Sequence, residues 1–391
     1  MCYREWNQLK KEKKYMDKIV KSHKDWIDVV WNKIENKLSV MSIQMKSKIP
    51  NIAGEDGIYD DCTEKPSAWT NGFWPGIMWL MYIVTKEEKY AQTAEYAEKV
   101  MDKALFNYES LYHDVGFMFH LSAGLHYRAT GNAESKNRNL MAAAALASRF
   151  NSEGNFIRAW NGGTPVGWAI IDCMLNIPLL YWASDEIGDP RFRQIAIRHA
   201  DTVMENFVRP DGSVYHVIEF DPSTGEVMGY PHTQGYEPIN SSWTRGQAWA
   251  LYGFILSYIH TGKQEYLDTA KKVAHYFISA VCTEGFIPKC DFRSPDEPDY
   301  LDTSAGAIAA CGLIEIAKAV PEYEKKLYLK AAIEILRAIE QNHCDFSTEK
   351  ECIVLNAMGY YKKGLQESYS FGDYFFVEAF FKLKGNEFLP W

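Results

Sequence analysis

The stretch SWTRGQAWALYGFILSYIHTGKQEYLDTA, residues 242–270, joins two helical segments of opposite character. Its opening, SWTRGQAW, is a polar group, a glycine and then an aromatic and apolar run with little charge. A helix so poor in charge is buried on most sides. The second half passes from Thr261 to Tyr266 and Ala270, at offsets of +5 and +9, with charges set between the apolar positions. That spacing predicts an amphipathic helix with one face in solvent.

Both signatures recur along the chain. The amphipathic one appears as Thr85, Tyr90, Ala94 and as Ile187, Phe192, Ala196, with weaker copies near Thr130 and Val320. The charge-poor one appears as WTNGFWPG (69–76), HDVGFMF (113–119), IIDCMLN (170–176), SWTRGQAW (242–249), DTSAGAIAA (302–310) and SFGDYFFVEAF (370–380). Buried helices alternating with amphipathic ones, six times, predict an all-α fold: an (α/α)6 barrel of six helical hairpins. No Pro/Gly/Ser-rich linker or composition break interrupts the pattern, so residues 1–391 read as one catalytic domain. If the hairpins repeat in parallel, the six inner-helix starts share one rim. Helix N-termini favour negative groups there. Residues 210–242 leave the helical period. Their DGSVYHVIEF, DPSTG and EVMGYPHTQGY predict a small β-like flap leaning over the same rim.

Composition excludes several function classes. The net charge is −9 and the basic residues are scattered, so no phosphate-binding stripe forms and no nucleic-acid partner is expected. No apolar run is long enough to span a bilayer, and MCYREWNQLKKEKKYMDK at the start lacks the apolar core of a secretory signal. The eight cysteines form no CxxC pair and read as reduced thiols of a cytoplasmic protein. The 12 Trp, 24 Tyr and 20 Phe serve a large core and, in part, a cleft whose flat rings meet sugar faces. HExxH, P-loop and clustered metal ligands are all missing from the sequence, so neither metal nor cofactor is expected.

Asp114 and Asp172 begin successive inner helices. Taken alone, either reads as an N-cap. Together on one rim they read as a catalytic pair, because two carboxylates sharing a cleft push one pKa upward. The apolar neighbours Ile171 and Cys173 assign that shift to Asp172. Arg245 lies in the first turn of its helix, where the macrodipole opposes a cation, so it reads as a substrate contact. Trp69, with Asn71 beside it, reads as a sugar platform and Trp74 as core or platform. His216 and His232 belong to the flap. Asp302 and Asp373 read as caps or inter-helix partners.

At these motifs the sequence resembles unsaturated glucuronyl hydrolases, glycoside hydrolase family 88. The matching elements run in order from about residue 66 to 382. The resemblance implies an (α/α)6 barrel that releases a 4,5-unsaturated uronic acid from lyase-generated oligosaccharides. It implies Asp172 as general acid/base and Asp114 as the second essential carboxylate. It further implies that Trp69 and Phe73 frame the sugar, that His113 and His216 face the cleft, and that Gln234, Trp243, Arg245 and Trp249 contact substrate. At AMGYYKKG (357–364), Met358 and Tyr361 stand where members preferring sulfated disaccharides carry serines, although Lys363 is kept; a 6-sulfate preference is not expected. The C4=C5 bond of such a substrate is an enol ether. Protonation at C4 leaves a cation at C5 that water can capture, with no attack at C1. The other readings are an unsaturated rhamnogalacturonyl hydrolase on pectin fragments and a sugar epimerase on the same barrel. The only expected partner is the oligosaccharide, and the protein is expected to be a monomer or weak homo-oligomer.

Overall fold

The computed structural model describes residues 18–391. The charged N-terminal stretch read above for a signal, with Cys2, lies outside the described residues save for its last residue, Lys18. In chain order the main helices are α1 (Lys24–Gln44), α2 (Phe73–Thr85), α3 (Glu88–Leu105), α4 (Leu125–Thr130), α5 (Ala133–Ala147), α6 (Pro178–Ile187), α7 (Pro190–Asn206), α8 (Thr244–Thr261), α9 (Gln264–Val281), α10 (Thr303–Ala319), α11 (Glu322–Asn342) and α12 (Ser370–Leu383). Even-numbered helices form the inner ring and odd-numbered ones the outer ring of an (α/α)6 barrel. Charge distribution sorts them. α10 buries every residue from Thr303 to Ala317, and α12 buries every residue it has. α9 buries only a stripe of Tyr266, Leu267, Ala270, Val273, Ala274, Phe277 and Val281, at helical spacing. The outer helices expected near Thr130 and Val320 are α5 and α11.

Inner helices turn back into outer ones through left-handed C-caps. Gly131, Gly188 and Gly262 supply them after α4, α6 and α8. Five pairs are consecutive in sequence. The sixth joins the two ends of the chain, with α12 against α1, where the Trp26 and Phe380 rings lie 5.3 Å apart. In the outer ring, α1 meets α3 through a Thr93 Oγ1–Ser42 O hydrogen bond of 2.8 Å. It meets α11 through a Lys33–Glu340 pair at 2.7 Å. Phe73 and Tyr374, 5.5 Å apart, pack α2 on α12 and close the inner ring. Trp391 lies among Phe117, Tyr252, Tyr374 and Phe375, and its Nε1 donates to Glu378.

Among the described residues, nine short strands accompany the helices: β1 (Pro50–Ala53), β2 (Tyr59–Asp61), β3 (Phe150–Asn151), β4 (Phe156–Ile157), β5 (Trp168–Ile170), β6 (Val217–Phe220), β7 (Val227–Gly229), β8 (Ala357–Met358) and β9 (Gln366–Tyr369). The expected flap is the β6–β7 hairpin. It is not free-standing: β5 pairs antiparallel with β6, Ile170 opposite Val217, in a sheet ordered β5-β6-β7. Among the described residues no helix is long and apolar enough to cross a membrane.

Three inner members depart from the expected regular helix starts, α2 among them, preceded by the 3-10 turn Trp69–Gly72. A π-helical stretch, Gly116–Gly124, precedes α4, and a tight 3-10 turn, Ile171–Leu175, precedes α6. The latter two carry the aspartates. π-Helical segments are rare and concentrate at functional sites.

Candidate active site

Asp172 is positioned by the sheet. β5 delivers the chain into the 3-10 turn, and the Ile171 N–H donates to His216 O at 3.0 Å. That bond sets His216 opposite Asp172, with Nε2 3.4 Å from Asp172 Oδ2. His216 Nδ1 accepts from the Gln234 N–H at 3.0 Å. An imidazole that accepts at Nδ1 carries its proton on Nε2, so an N–H faces the carboxylate. Asp114 is positioned from the other side. The His113 N–H donates to Ala159 O at 3.2 Å, and His113 Nε2 lies 3.3 Å from Asp114 Oδ2.

Asn176 ties the two acid-bearing segments together. Its Oδ1 accepts the Phe117 N–H at 2.8 Å, its Nδ2 donates to Asp172 O at 3.3 Å, and its amide also reaches the Asp114 carboxyl. The approach is so close that a Cβ at Gly116 would lie 2.6 Å from Asn176 Cα. Only glycine fits there.

Burial, and then the charge of Asp172, pushes the Asp114 carboxyl well above the usual carboxylate range. Hydrogen bonding from Asn176 and the charge of Arg149 work the other way. Burial also drives His113 down to about 3, so its imidazole is neutral. The raised carboxyl is that of Asp114. The physical reason is depth: the Asp172 side chain is 15% exposed and that of Asp114 8%.

A pocket of about 100 Å³ opens over the pair. Trp69, Tyr112, His113, Asp114, Trp160, Ile170, Asp172, Gln234 and Arg245 line it. Six sequence-predicted residues thus meet on one wall: Trp69, His113, Asp114, Asp172, Gln234 and Arg245. His216 stands directly behind, its ring 4.2 Å from Trp243.

Five expected contacts do not line the pocket: His216 and Trp243 stand behind it, and the other three lie in the core. Asn71, Phe73 and Trp249 are wholly buried. Asn71 donates to Lys65 O at 2.9 Å. Phe73 packs among Trp69, Phe117 and Phe371, and Trp249 packs on Phe117 and Phe375. Trp249 lies more than a turn inside α8, whereas Phe73 opens α2 and Asn71 lies in the 3-10 turn before it. Trp74 is core as well.

Arg245 lines the pocket, yet protein groups hold its guanidinium. One Nη pairs with Asp302 at 2.5 Å and donates to Met358 O at 2.7 Å. The other donates to Gln234 Oε1 and Gly359 O, both at 3.1 Å. Trp243 and Phe371 sandwich it at 4.6 and 5.2 Å. Its first task is to anchor Gln234 and the 358–359 segment at the rim. Asp302 is the inter-helix partner expected. Asp373 is not: it accepts from the Ile353 and Val354 N–H groups of a loop and from Tyr59 OH of β2.

Tyr112, Trp160, Ile170 and Asn176 had no assigned role in the sequence reading. Tyr112, Ile170 and Asn176 adjoin or lie within quoted motifs, and an aromatic beside HDVGF was a usable signal. Trp160 sits in a loop with no signature. Among the described residues no group of three His, Cys, Asp or Glu could hold a metal ion.

The sequence profile of Glycosyl Hydrolase Family 88 matches residues 41–382. The unsaturated glucuronyl hydrolase of Bacillus sp. strain GL1 is 36% identical over 326 residues, spanning 81% of this chain and 86% of that one. A crystal structure from that strain, of an unsaturated glucuronyl hydrolase responsible for the degradation of glycosaminoglycan, gives a TM-score of 0.85 at 34% identity and covers 90% of this chain and 97% of its own. The unsaturated chondroitin disaccharide hydrolase of Streptococcus pneumoniae is 32% identical over 371 residues, 92% of both chains. An aspartate-to-asparagine mutant of the Streptococcus agalactiae unsaturated glucuronyl hydrolase, complexed with dGlcA-GalNAc6S, gives a TM-score of 0.79 at 29% identity over 93% of both chains.

Proposed function

The chain belongs to glycosyl hydrolase family 88, and from that membership we propose that it releases a 4,5-unsaturated uronic acid from the non-reducing end of glycosaminoglycan-type oligosaccharides. The observation that carries the mechanism is the coupled pair Asp114–Asp172 under an aromatic-walled pocket. Burial beside Asp172 favours the protonated form of Asp114 and so keeps a proton within the pair. Asp172, the more exposed, delivers that proton to C4 of the enol ether. The cation formed at C5 shares the ring oxygen's electrons. His216 Nε2–H steadies the ionised Asp172, which then takes a proton from the water that adds at C5. The C5 hemiketal opens by breaking its bond to the ring oxygen. The hemiacetal left at C1 expels the aglycone with its own oxygen. Trp69 and Trp160 frame the sugar, and Gln234, held by Arg245, meets its polar edge.

Met358 and Tyr361 are buried, Tyr361 against Tyr236 and Tyr300, so neither offers a hydroxyl to a sulfate. Unsulfated disaccharides should be used at least as well as 6-sulfated ones. The protein acts as one domain, as a monomer or weak homo-oligomer in a reducing, cytoplasmic setting. Seven unpaired cysteines among the described residues accord with that compartment.

A panel of lyase-digested chondroitin, hyaluronan and pectin fragments tests the reading, followed by loss of the conjugated enol absorbance. Early in the reaction, ¹⁸O from labelled water should appear at C5 and not at C1. Efficient cleavage of saturated glucuronides, or label at C1 alone, would make this a conventional glycosidase. Activity confined to pectin fragments would select the rhamnogalacturonyl reading.

A further inference from the structure

Two guanidiniums bear on this site: Arg245, which lines the pocket, is ion-paired, and Arg149, which stands behind it, is not. Arg149, at the end of α5, is buried. Its Nε donates to Arg158 O at 2.9 Å, one Nη to Leu111 O at 3.2 Å and Asn161 Oδ1 at 2.7 Å, and the other Nη to Ala159 O at 3.2 Å. Every one of these acceptors is a neutral oxygen. Among the described residues no carboxylate lies within ion-pair distance of it. Neutral carbonyls satisfy the N–H groups but leave the unit charge uncancelled, and a field in a poorly screened interior extends well beyond contact.

Its bonds fall on the chain segments that build the active site. Leu111 immediately precedes Tyr112, His113 and Asp114. Arg158, Ala159 and Asn161 flank Trp160. Ala159 O also accepts the His113 N–H, and the Ala159 N–H donates to Trp168 O on β5, the strand leading to Asp172.

Resting on the function proposed above, we infer that Arg149 is a positioning residue with two tasks: it clamps the His113–Asp114 and Trp160 segments together, and its uncancelled charge offsets the negative charge gathered by the aspartate pair and the bound uronate. The titratable groups facing Asp114 are Asp172, His113, Cys173 and Tyr112; His216 faces Asp172, His199 bears on His113, and Arg149, with Arg158 beside it, is the cation behind them. Arg149 favours the ionised form of the pair. Its loss must let the pair keep its proton to higher pH.

The test is the pH dependence of kcat/KM on an unsaturated disaccharide for Arg149→Lys and Arg149→Gln, with thermal melts to establish folding. Lysine keeps the charge and loses the fork, so kcat should fall while the alkaline limb stays in place. Glutamine loses the charge, so the limb should move up by roughly 0.5–1 pH unit, less than the 1–3 of a contacting opposite charge, and KM should rise. A limb unmoved in folded Arg149→Gln would reduce Arg149 to a structural clamp and overturn the charge role. If Arg149→Gln does not fold, Asn161→Asp serves instead. It places a carboxylate on the guanidinium with nearly unchanged shape, and the limb should again rise; no rise overturns the proposal. An inactive wild type on the whole disaccharide panel would be a different result, the failure of the proposed function.

Discussion

Replacing Arg245 with alanine should cost stability before it costs anything else. Arg245 is 3% exposed and its partner Asp302 0%. Arg245→Ala strands a carboxylate that retains only its bonds to Ser304 and the Ala305 N–H. Removing one member of a buried ion pair costs about 3–5 kcal/mol, because the other charge is left without compensation. The vacated space admits water to the Met358 and Gly359 carbonyls, so we add nothing for them. Against a typical total of about 5–15 kcal/mol, the loss is at least about a fifth of the fold's margin. The assay is urea unfolding followed by far-UV circular dichroism, with KM and kcat measured per folded molecule. The double variant Arg245→Ala/Asp302→Asn should recover a large part of the loss, since no charge is then stranded. The residual activity defect should sit in KM, because Gln234 and the 358–359 segment lose their anchor. The reasoning is refuted if Arg245→Ala unfolds at the wild-type midpoint, or if the double variant is no more stable than the single one. The guanidinium would then be a free substrate contact, as the sequence alone implied.

Three further outcomes follow from the geometry. Asp172→Asn should lower kcat by roughly 10²–10⁴-fold with the melt unchanged, since general acid–base transfer contributes about that much; near-normal turnover would move the proton donor elsewhere. Asp114 holds its proton more tightly folded than unfolded, so wild-type stability falls as pH rises from the ordinary carboxylate range towards its raised value; Asp114→Asn should therefore be severely impaired yet melt higher than wild type, by a margin that grows over that window, and a lower melt throughout would refute the burial argument. Gly116→Ala drives a Cβ to 2.6 Å from Asn176 Cα, and overpacking costs typically about 1–3 kcal/mol; the melt should fall and kcat with it, and wild-type values of both would mean that Asn176 does not set the pair.

The alternation of charge-poor and amphipathic helices was legible because it is local: helical period and charge sorting act over a few residues. It was enough to assign the inner and outer rings and to bring Trp69, His113, Asp114, Asp172 and Arg245 to one rim, while Gln234 came from the family resemblance. The flap was legible for the same reason, through the turn residues in DPSTG. What the tertiary structure alone decided rests on contacts between distant residues. The pairing of α12 with α1 closes the barrel across the whole chain. Burial depth, which no neighbour in sequence reports, favours the protonated form of Asp114. Arg245 looked available for substrate because Asp302 lies 57 residues away. Arg149 had no assigned role in the sequence, because the carbonyls that hold it come from loops that only the fold brings beside it. Local pattern sets the periodicity and the exposed face of each helix. The charge state of a buried group depends on everything packed against it, and that is known only once the chain is folded.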